Sequence, residues 1–188
     1  MKNYNDLLTK YPELFYKEER EEGQSPFSLF GFECDEGWFN IISNAFATIY
    51  FRYNQAKKDL SYWQHAVNNL EETVSRRLSW DKEATKESVE NNALTQLQNS
   101  IKKLEETEAT LPKFVQIKEK FGGLRMYFDG GDYEKIVAIT DFAERMSEVT
   151  CEICGNVGKT YRTRWHKTLC KEHAIERYGE DVVKETDA

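Results

Sequence analysis

The sequence is short of the residues that interrupt regular structure, with three prolines and ten glycines among 188 residues. That scarcity excludes collagen-like and low-complexity chains. Long apolar runs are missing as well. No stretch approaches the roughly 18 residues that a bilayer span needs, so no membrane association is expected. The opening residues, MKNYNDLLTKYPELF, carry neither an apolar h-region nor a small-residue cleavage site, and the expected setting is the cytoplasm. An excess of positive charge is also absent, since 26 Lys and Arg stand against 33 Asp and Glu for a net −7. A general nucleic-acid coat protein would be basic, because phosphate neutralisation drives such binding. No G-x-S-x-G, Walker A or H-E-x-x-H string occurs, and Gly122-Gly123 and Gly130-Gly131 lie in strand context instead of opening a helix.

Aromatic residues are plentiful at 13% of the chain, with four Trp, ten Tyr and eleven Phe. A disordered chain is poor in these, so a packed core is expected. The charge is unevenly spread. Residues 1–36 hold four cationic and nine anionic side chains, whereas residues 113–125 hold four and one and residues 151–173 hold five and two. Two basic segments in an acidic chain can grip an anionic ligand locally; they are also what an ordinary solvated face looks like.

Apolar spacing predicts the elements. Tyr4, Leu7, Leu8, Tyr11 and Leu14 recur at helical intervals over residues 1–20, with Pro12 ending the first part. Residues 21–37 read as a loop turning Phe27, Phe30, Phe32 and Cys34 inward. Trp38 opens a long helix through Ile41, Ile42, Ala45, Phe46 and Ile49. From about residue 55 the stripe narrows to heptads: Leu60, Val67 and Val74, with Trp63 and Leu70 offset by three. After a break at Ser79-Trp80-Asp81 a second seam runs through Leu94, Leu97, Ile101 and Leu104. Two such stretches predict an antiparallel coiled-coil helical hairpin, whose expected role is structural, as an arm or a homodimer surface.

Residues 113–121 and 124–128 alternate apolar and polar on either side of Gly122-Gly123, predicting a β-hairpin with a two-residue turn. In that register Phe121 faces Leu124, Lys120 faces Arg125, Glu119 faces Met126 and Ile117 faces Phe128. Gln116, Lys118, Lys120, Arg125, Tyr127 and Asp129 share the polar face. Val115, Ile117 and Glu119 share the apolar one, where the Glu119 carboxylate needs a partner from another element. Asp132 then caps a helix over residues 133–147 that turns Ile136, Val137, Thr140, Ala143 and Met146 inward.

Cys151, Cys154, Cys170 and His173 form a C-x2-C-x15-C-x2-H pattern. Thiolate and imidazole suit tetrahedral zinc, and four protein ligands close the sphere as in a structural site. The first pair lies in CEICG, where Gly155 permits a tight knuckle. The second opens a helix, one turn apart, so both side chains point the same way. This predicts a treble-clef or zinc-ribbon finger. His166 competes as the nitrogen ligand, and Cys34 reads as a small buried hydrophobe. The whole is expected to be an α+β fold, mostly helical. Its parts are a core from residues 1–54 and 109–148, the helical-hairpin insertion at 55–108, the finger at 149–178 and a frayed tail at 179–188.

The strings IKEKFGGLRMYFDGGD, CEICG…TLCKEHA and GFECDEGWFNII together resemble a family of small zinc-finger proteins of bacteriophages and prophages, over residues 10–50 and 112–175. The heptad arm is similar to an expanded connection in such proteins. The resemblance implies a phage accessory protein acting in the cytoplasm of the infected bacterium; it supplies no activity.

Three readings of function follow. A non-enzymatic protein that binds a host factor, including a defence system, fits the closed metal site and the arm. Nucleic-acid or nucleotide-phosphate binding would use Lys118, Lys120, Arg125 and Tyr127 of the hairpin with Arg162, Arg164, Trp165 and Lys167 of the finger loop, since cations beside aromatics hold phosphate and stack bases. An acid–base pair of Glu119 with Asp129, Asp132 or His166 would make an enzyme, although spacing alone does not bring these groups together. No catalytic residue is assigned.

Overall fold

The computed structural model describes residues 3–16, 26–181 and 183. The chain divides into two compact units, Met1–Ile49 with Leu111–Ala188, and Tyr50–Thr110. The architecture is α+β, and no helix among the described residues is long and apolar enough to cross a membrane.

In the first unit, helix α1 (Tyr4–Lys10) is capped by the Asn3 side chain and followed by a 3₁₀ turn at Pro12–Leu14, where proline's fixed φ suits a helix start. Phe15 is extended and neither it nor Tyr16 is helical, so the helix expected over residues 1–20 ends early, and residues 17–20 lie outside the described residues. Helix α2 (Pro26–Phe30) occupies part of the expected loop, and Phe30 points outward at 65% exposure instead of inward. A 3₁₀ turn at Glu36–Trp38 leads into α3 (Phe39–Asn68), which continues into the second unit. Trp38, Ile42 and Phe46 are fully buried at helical spacing, against Leu7, Leu14, Phe114 and Ile117 of the same core.

Strands β1 (Phe32–Glu33), β2 (Lys113–Lys120) and β3 (Gly123–Asp129) form one sheet, with β1 parallel to β2 and β2 antiparallel to β3. The hairpin register differs from the expected one. Phe121 and Gly122 make the turn, both with positive φ (55° and 82°), so Lys120 pairs with Gly123, Glu119 with Leu124, Lys118 with Arg125 and Ile117 with Met126. Two residues of positive φ match the right-handed twist of the strands. The Lys120–Arg125 pair therefore does not form. The shift is two residues, so each side chain keeps its face as far as a bulge between Phe114 and Gln116. Beyond it Phe114 is buried in the place expected for Val115.

Helix α6 (Tyr133–Ser147) buries Ile136, Thr140, Ala143 and Ser147, while Met146 stays outside. Strands β4 (Lys159–Tyr161) and β5 (Lys167–Leu169) form a two-stranded ribbon, and α7 (Lys171–Tyr178) follows at once. Val183 is buried with Tyr161, Leu169 and Ala174, so the described part of the tail packs instead of fraying.

In the second unit, the chain breaks at Asn69 between α3 and α4 (Leu70–Trp80), then turns into α5 (Lys86–Ala109), which a Thr85–Ser88 capping box starts. Lys103 of α5 reaches Asp59 of α3 at 2.7 Å. Tyr53, Ala56, Ala66 and Val74 are buried on one side, Ala93 and Ser100 on the other. The α5 face keeps Leu97 and Leu104 of the expected seam half-buried, but Leu94 and Ile101 remain 45% and 42% exposed while Ala93 and Ser100 turn inward.

Candidate metal centre

The metal-ligand pattern is assembled by three short elements. Cys151 and Cys154 flank a tight turn closed by Gly155 N–H donating to Cys151 O at 2.9 Å, with Gly155 at φ 79°. Asn156 O accepts from Cys151 N–H at 2.7 Å, completing the knuckle. Cys170 follows β5 as the N-cap residue of α7, and His173 lies within that helix's first turn. The four ligating atoms lie within 4.8 Å of one another, an arrangement that can hold one metal ion. His166 is not in the cluster; its ring lies 6.3 Å from that of Phe121.

Zinc bonds of about 2.3 Å to sulfur and 2.0–2.1 Å to nitrogen place tetrahedral neighbours roughly 3.5–3.8 Å apart. Cys154 and Cys170 Sγ are 3.8 Å apart, and Cys151 Sγ is 3.5 Å from His173 Nδ1. The Cys170 Sγ–His173 Nδ1 separation is shorter, at 3.1 Å. The donor set and its spacing therefore fit a tetrahedral ion. Burial alone would raise the Cys151 thiol, but backbone N–H groups of Cys154, Cys170 and Ile153 directed at its sulfur outweigh that and hold it near 7, prepared to bind as thiolate. Cys154 moves the other way, to about 11, through burial and then through the neighbouring Cys151 and Cys170 thiols.

Residues that the spacing did not single out lock this centre onto the core. Gly37 N–H donates to Glu152 O at 2.7 Å, and a Cβ at Gly37 would sit 2.2 Å from Cys151 O, so only glycine admits the approach. The Trp38 indole donates to Thr150 O at 2.8 Å. Glu119 finds its partner here: Lys167 Nζ lies 3.0 Å from Glu119 Oε2 and 2.7 Å from Glu152 Oε2, while Glu119 Oε1 accepts from Gly122 N–H at 2.7 Å. Glu152 is only 2% exposed. Burial raises its carboxyl, opposed by Lys167, and the two carboxylates in turn raise Lys167 against its own burial. One cation shared by two acids from different segments was not readable from alternation, which showed only that Glu119 needed a partner.

The basic residues separate into groups. Lys118 stacks its ammonium over Tyr127 at 5.4 Å on the hairpin face. Arg125 turns to Glu144 of α6 at 3.5 Å and to Leu124 O at 2.6 Å. Lys120 leans over Phe121 at the hairpin tip, 5.4 Å from the ring. Thr168 Oγ1 donates to Gly122 O at 2.6 Å, which fixes that tip on the β4–β5 ribbon. The loop with Arg162, Arg164 and Trp165 thus lies next to the tip, through His166 on Phe121. Thr163 and Tyr178 hydroxyls both donate to Trp165 O, at 2.9 and 3.0 Å, holding the loop while the Trp165 ring stays 73% exposed. Glu119 and Asp129 stand at opposite ends of the hairpin, and Asp129 accepts from the Tyr16 hydroxyl at 3.2 Å.

No family model, curated protein or solved structure matches the chain.

Proposed function

We propose that this chain is a zinc-holding, non-enzymatic accessory protein of a phage, working in the cytoplasm of the infected bacterium by binding a host factor, counter-defence among its roles. The observation that carries the binding reading is the surface where the hairpin tip meets the finger loop. Phe121 is 71% exposed in a left-handed conformation that a non-glycine residue adopts at a cost, and Trp165 is similarly bare. Lys120 lies over the Phe121 ring, and Arg162 and Arg164 are exposed in the same loop as Trp165. Aromatic and arginine side chains are the usual anchors of an interface. Zinc supports this surface, because three thiolates and one imidazole complete its coordination and a treble-clef-like finger then holds the loop. The arm, read as a coiled-coil hairpin, offers a seam for a homodimer.

A second reading is favoured by the same pairing of rings with cations: a nucleic acid or nucleotide phosphate could stack on Phe121 and Trp165. Tagged protein recovered from infected cells, with Trp165→Ala as control, tests both. The host-factor reading expects a partner that is lost with the variant and survives nuclease treatment. Recovery that nuclease abolishes supports the second reading, and identical recovery by both proteins removes the surface from either.

A further inference from the structure

The arm contains a cleft that none of these readings uses. It measures about 530 Å³ and is lined in part by Tyr62, Trp63, Arg76, Arg77, Trp80 and Asn92. Sites for small molecules run from roughly 300 to 1,000 Å³. The cleft has a local cause. At the Asn69 break the Asn69 side chain donates to His65 O at 2.9 Å, and Thr73 Oγ1 donates to Ala66 O at 3.0 Å. His65 O also accepts the Asn69 backbone N–H at 3.0 Å, so side chain and backbone of residues 65–73 together fix the break between the two helices. Opposite it, α5 presents the small side chain of Ala93, which does not fill the space.

The walls are chemically mixed in a particular way. Trp80, the last residue of α4, is 63% exposed, and Tyr62 meets Trp63 edge-on with ring centroids 4.9 Å apart. The Arg77 guanidinium lies 4.1 Å from the Trp80 ring and 2.8 Å from Asp81 Oδ2. That contact backs one face of the indole and cancels the charge of both Arg77 and Asp81. Arg76 has no ion-pair partner among the described residues, so it is the cation left for a ligand. Asn92 and Ser88 add hydrogen-bonding groups, and Glu83 adds an acceptor.

A bare anion would use Arg76 and waste the rings. An apolar ligand would use the rings and strand Arg76, Glu83 and Asn92. We infer that the cleft binds a nucleotide, its planar base against the indoles of Trp63 and Trp80 and its phosphate at Arg76. Indole faces stack any base, and the guanidinium fork matches phosphate oxygens. The nucleotide can be free or belong to a single strand. This site shares no residue with the hairpin-tip surface, so either can fail without the other.

The test is nuclear magnetic resonance titration of the intact, metal-loaded chain with 5′-AMP, 5′-GMP, 5′-CMP and 5′-UMP, with inorganic phosphate, and with a short oligothymidylate. The indole N–H signals report the place. Expected are saturable shifts of Trp63 and Trp80 with at least one mononucleotide at millimolar concentration or below, none with phosphate alone, and unmoved Trp38. Arg76→Ala, an exposed surface change, should weaken that binding about tenfold, while Arg76→Lys should recover part of it. Tighter binding of the oligothymidylate would identify strand as the source; mononucleotide binding alone would identify free nucleotide. Absence of saturable shifts at Trp63 and Trp80, shifts confined to Trp165, or affinity indifferent to Arg76→Ala would each overturn the assignment.

Discussion

The unit that holds the Cys/His cluster draws its buried side chains from segments far apart in sequence, whereas every buried side chain of the arm lies on one run of helices. In the former, Gly37, Trp38, Glu119 and Lys167 converge on the knuckle at residues 150–152. In the arm, caps, i to i+4 pairs and small buried residues recur, with Arg77–Asp81 at 2.8 Å, Lys102–Glu106 at 3.7 Å and Lys86–Glu90 at 3.8 Å. Local helices form from their own neighbours, while residues 149–178 pair a small apolar cluster with polar contacts drawn from distant segments. The two halves should therefore answer differently to the same perturbation.

Metal removal should divide them most sharply. Structural zinc contributes apparent binding energies of about 10–16 kcal/mol in small fingers. Cys151→Ser or His173→Ala should abolish the one bound zinc per chain in metal analysis and erase dispersed amide signals over residues 149–178. Helical circular dichroism from the arm should persist. Loss of both together would show that the arm does not stand on its own helices.

Lys167→Met ranks next. It leaves the carboxylate of Glu152 buried without its cation, a change that costs about 3–5 kcal/mol. Glu152→Gln in the same chain should return part of that loss in urea unfolding, whereas independent, additive effects would mean that the pair is not coupled.

Alkaline pH should weaken the same unit. Cys34, in contact with the Tyr4 hydroxyl at 3.4 Å, has its thiol raised from 9.0 to about 12, by burial first and then, against the Tyr4 hydrogen bond, by the Glu152 and Asp35 charges. A folded-state value above the unfolded one contributes stability that is complete below the unfolded pKa and lost as pH rises through the folded one. The raised Lys167 acts in the same direction from 10.5 upward. The unfolding midpoint should fall across the interval from 9.0 to about 12, and Cys34→Ala should flatten the lower part of that fall. An unchanged profile in that variant would place the alkaline sensitivity elsewhere.

Two smaller effects sharpen the contrast. Phe121→Gly relieves a left-handed residue and should raise stability by about 1 kcal/mol, while partner recovery falls; a destabilised variant would mean that the ring supports the fold. Replacing residues 57–106 by a short Gly/Ser link should change the unfolding energy of the unit that holds the Cys/His cluster by less than about 0.5 kcal/mol, with zinc retained. A larger loss would show that it leans on the arm.

The readable parts of the sequence were those where one residue type has one use. Cys and His at fixed intervals led to a cluster, and helical stripes led to α3, α5 and α6 within a few residues. Phase was less legible. The hairpin turn moved because Phe121 accepts a conformation that sequence reading assigns to glycine. On α5, Ala93 and Ser100, small and unassertive in a hydrophobic pattern, pack inward in place of Leu94 and Ile101. The Asn69 break left no proline or glycine to mark it. Glu152 and Lys167 looked like surface charges, since nothing local revealed that Glu119 would arrive from the hairpin.

The Gly37–Glu152 contact also bears on how the chain is made. Residues 35–38 emerge from the ribosome well before residues 150–152, which supply the carbonyls that Gly37 and the Trp38 indole require. Throughout synthesis of the arm, Trp38 waits beside an unfinished socket. A chain stopped within the arm therefore leaves the Gly37 N–H and the Trp38 indole N–H without the acceptors they have in the finished fold.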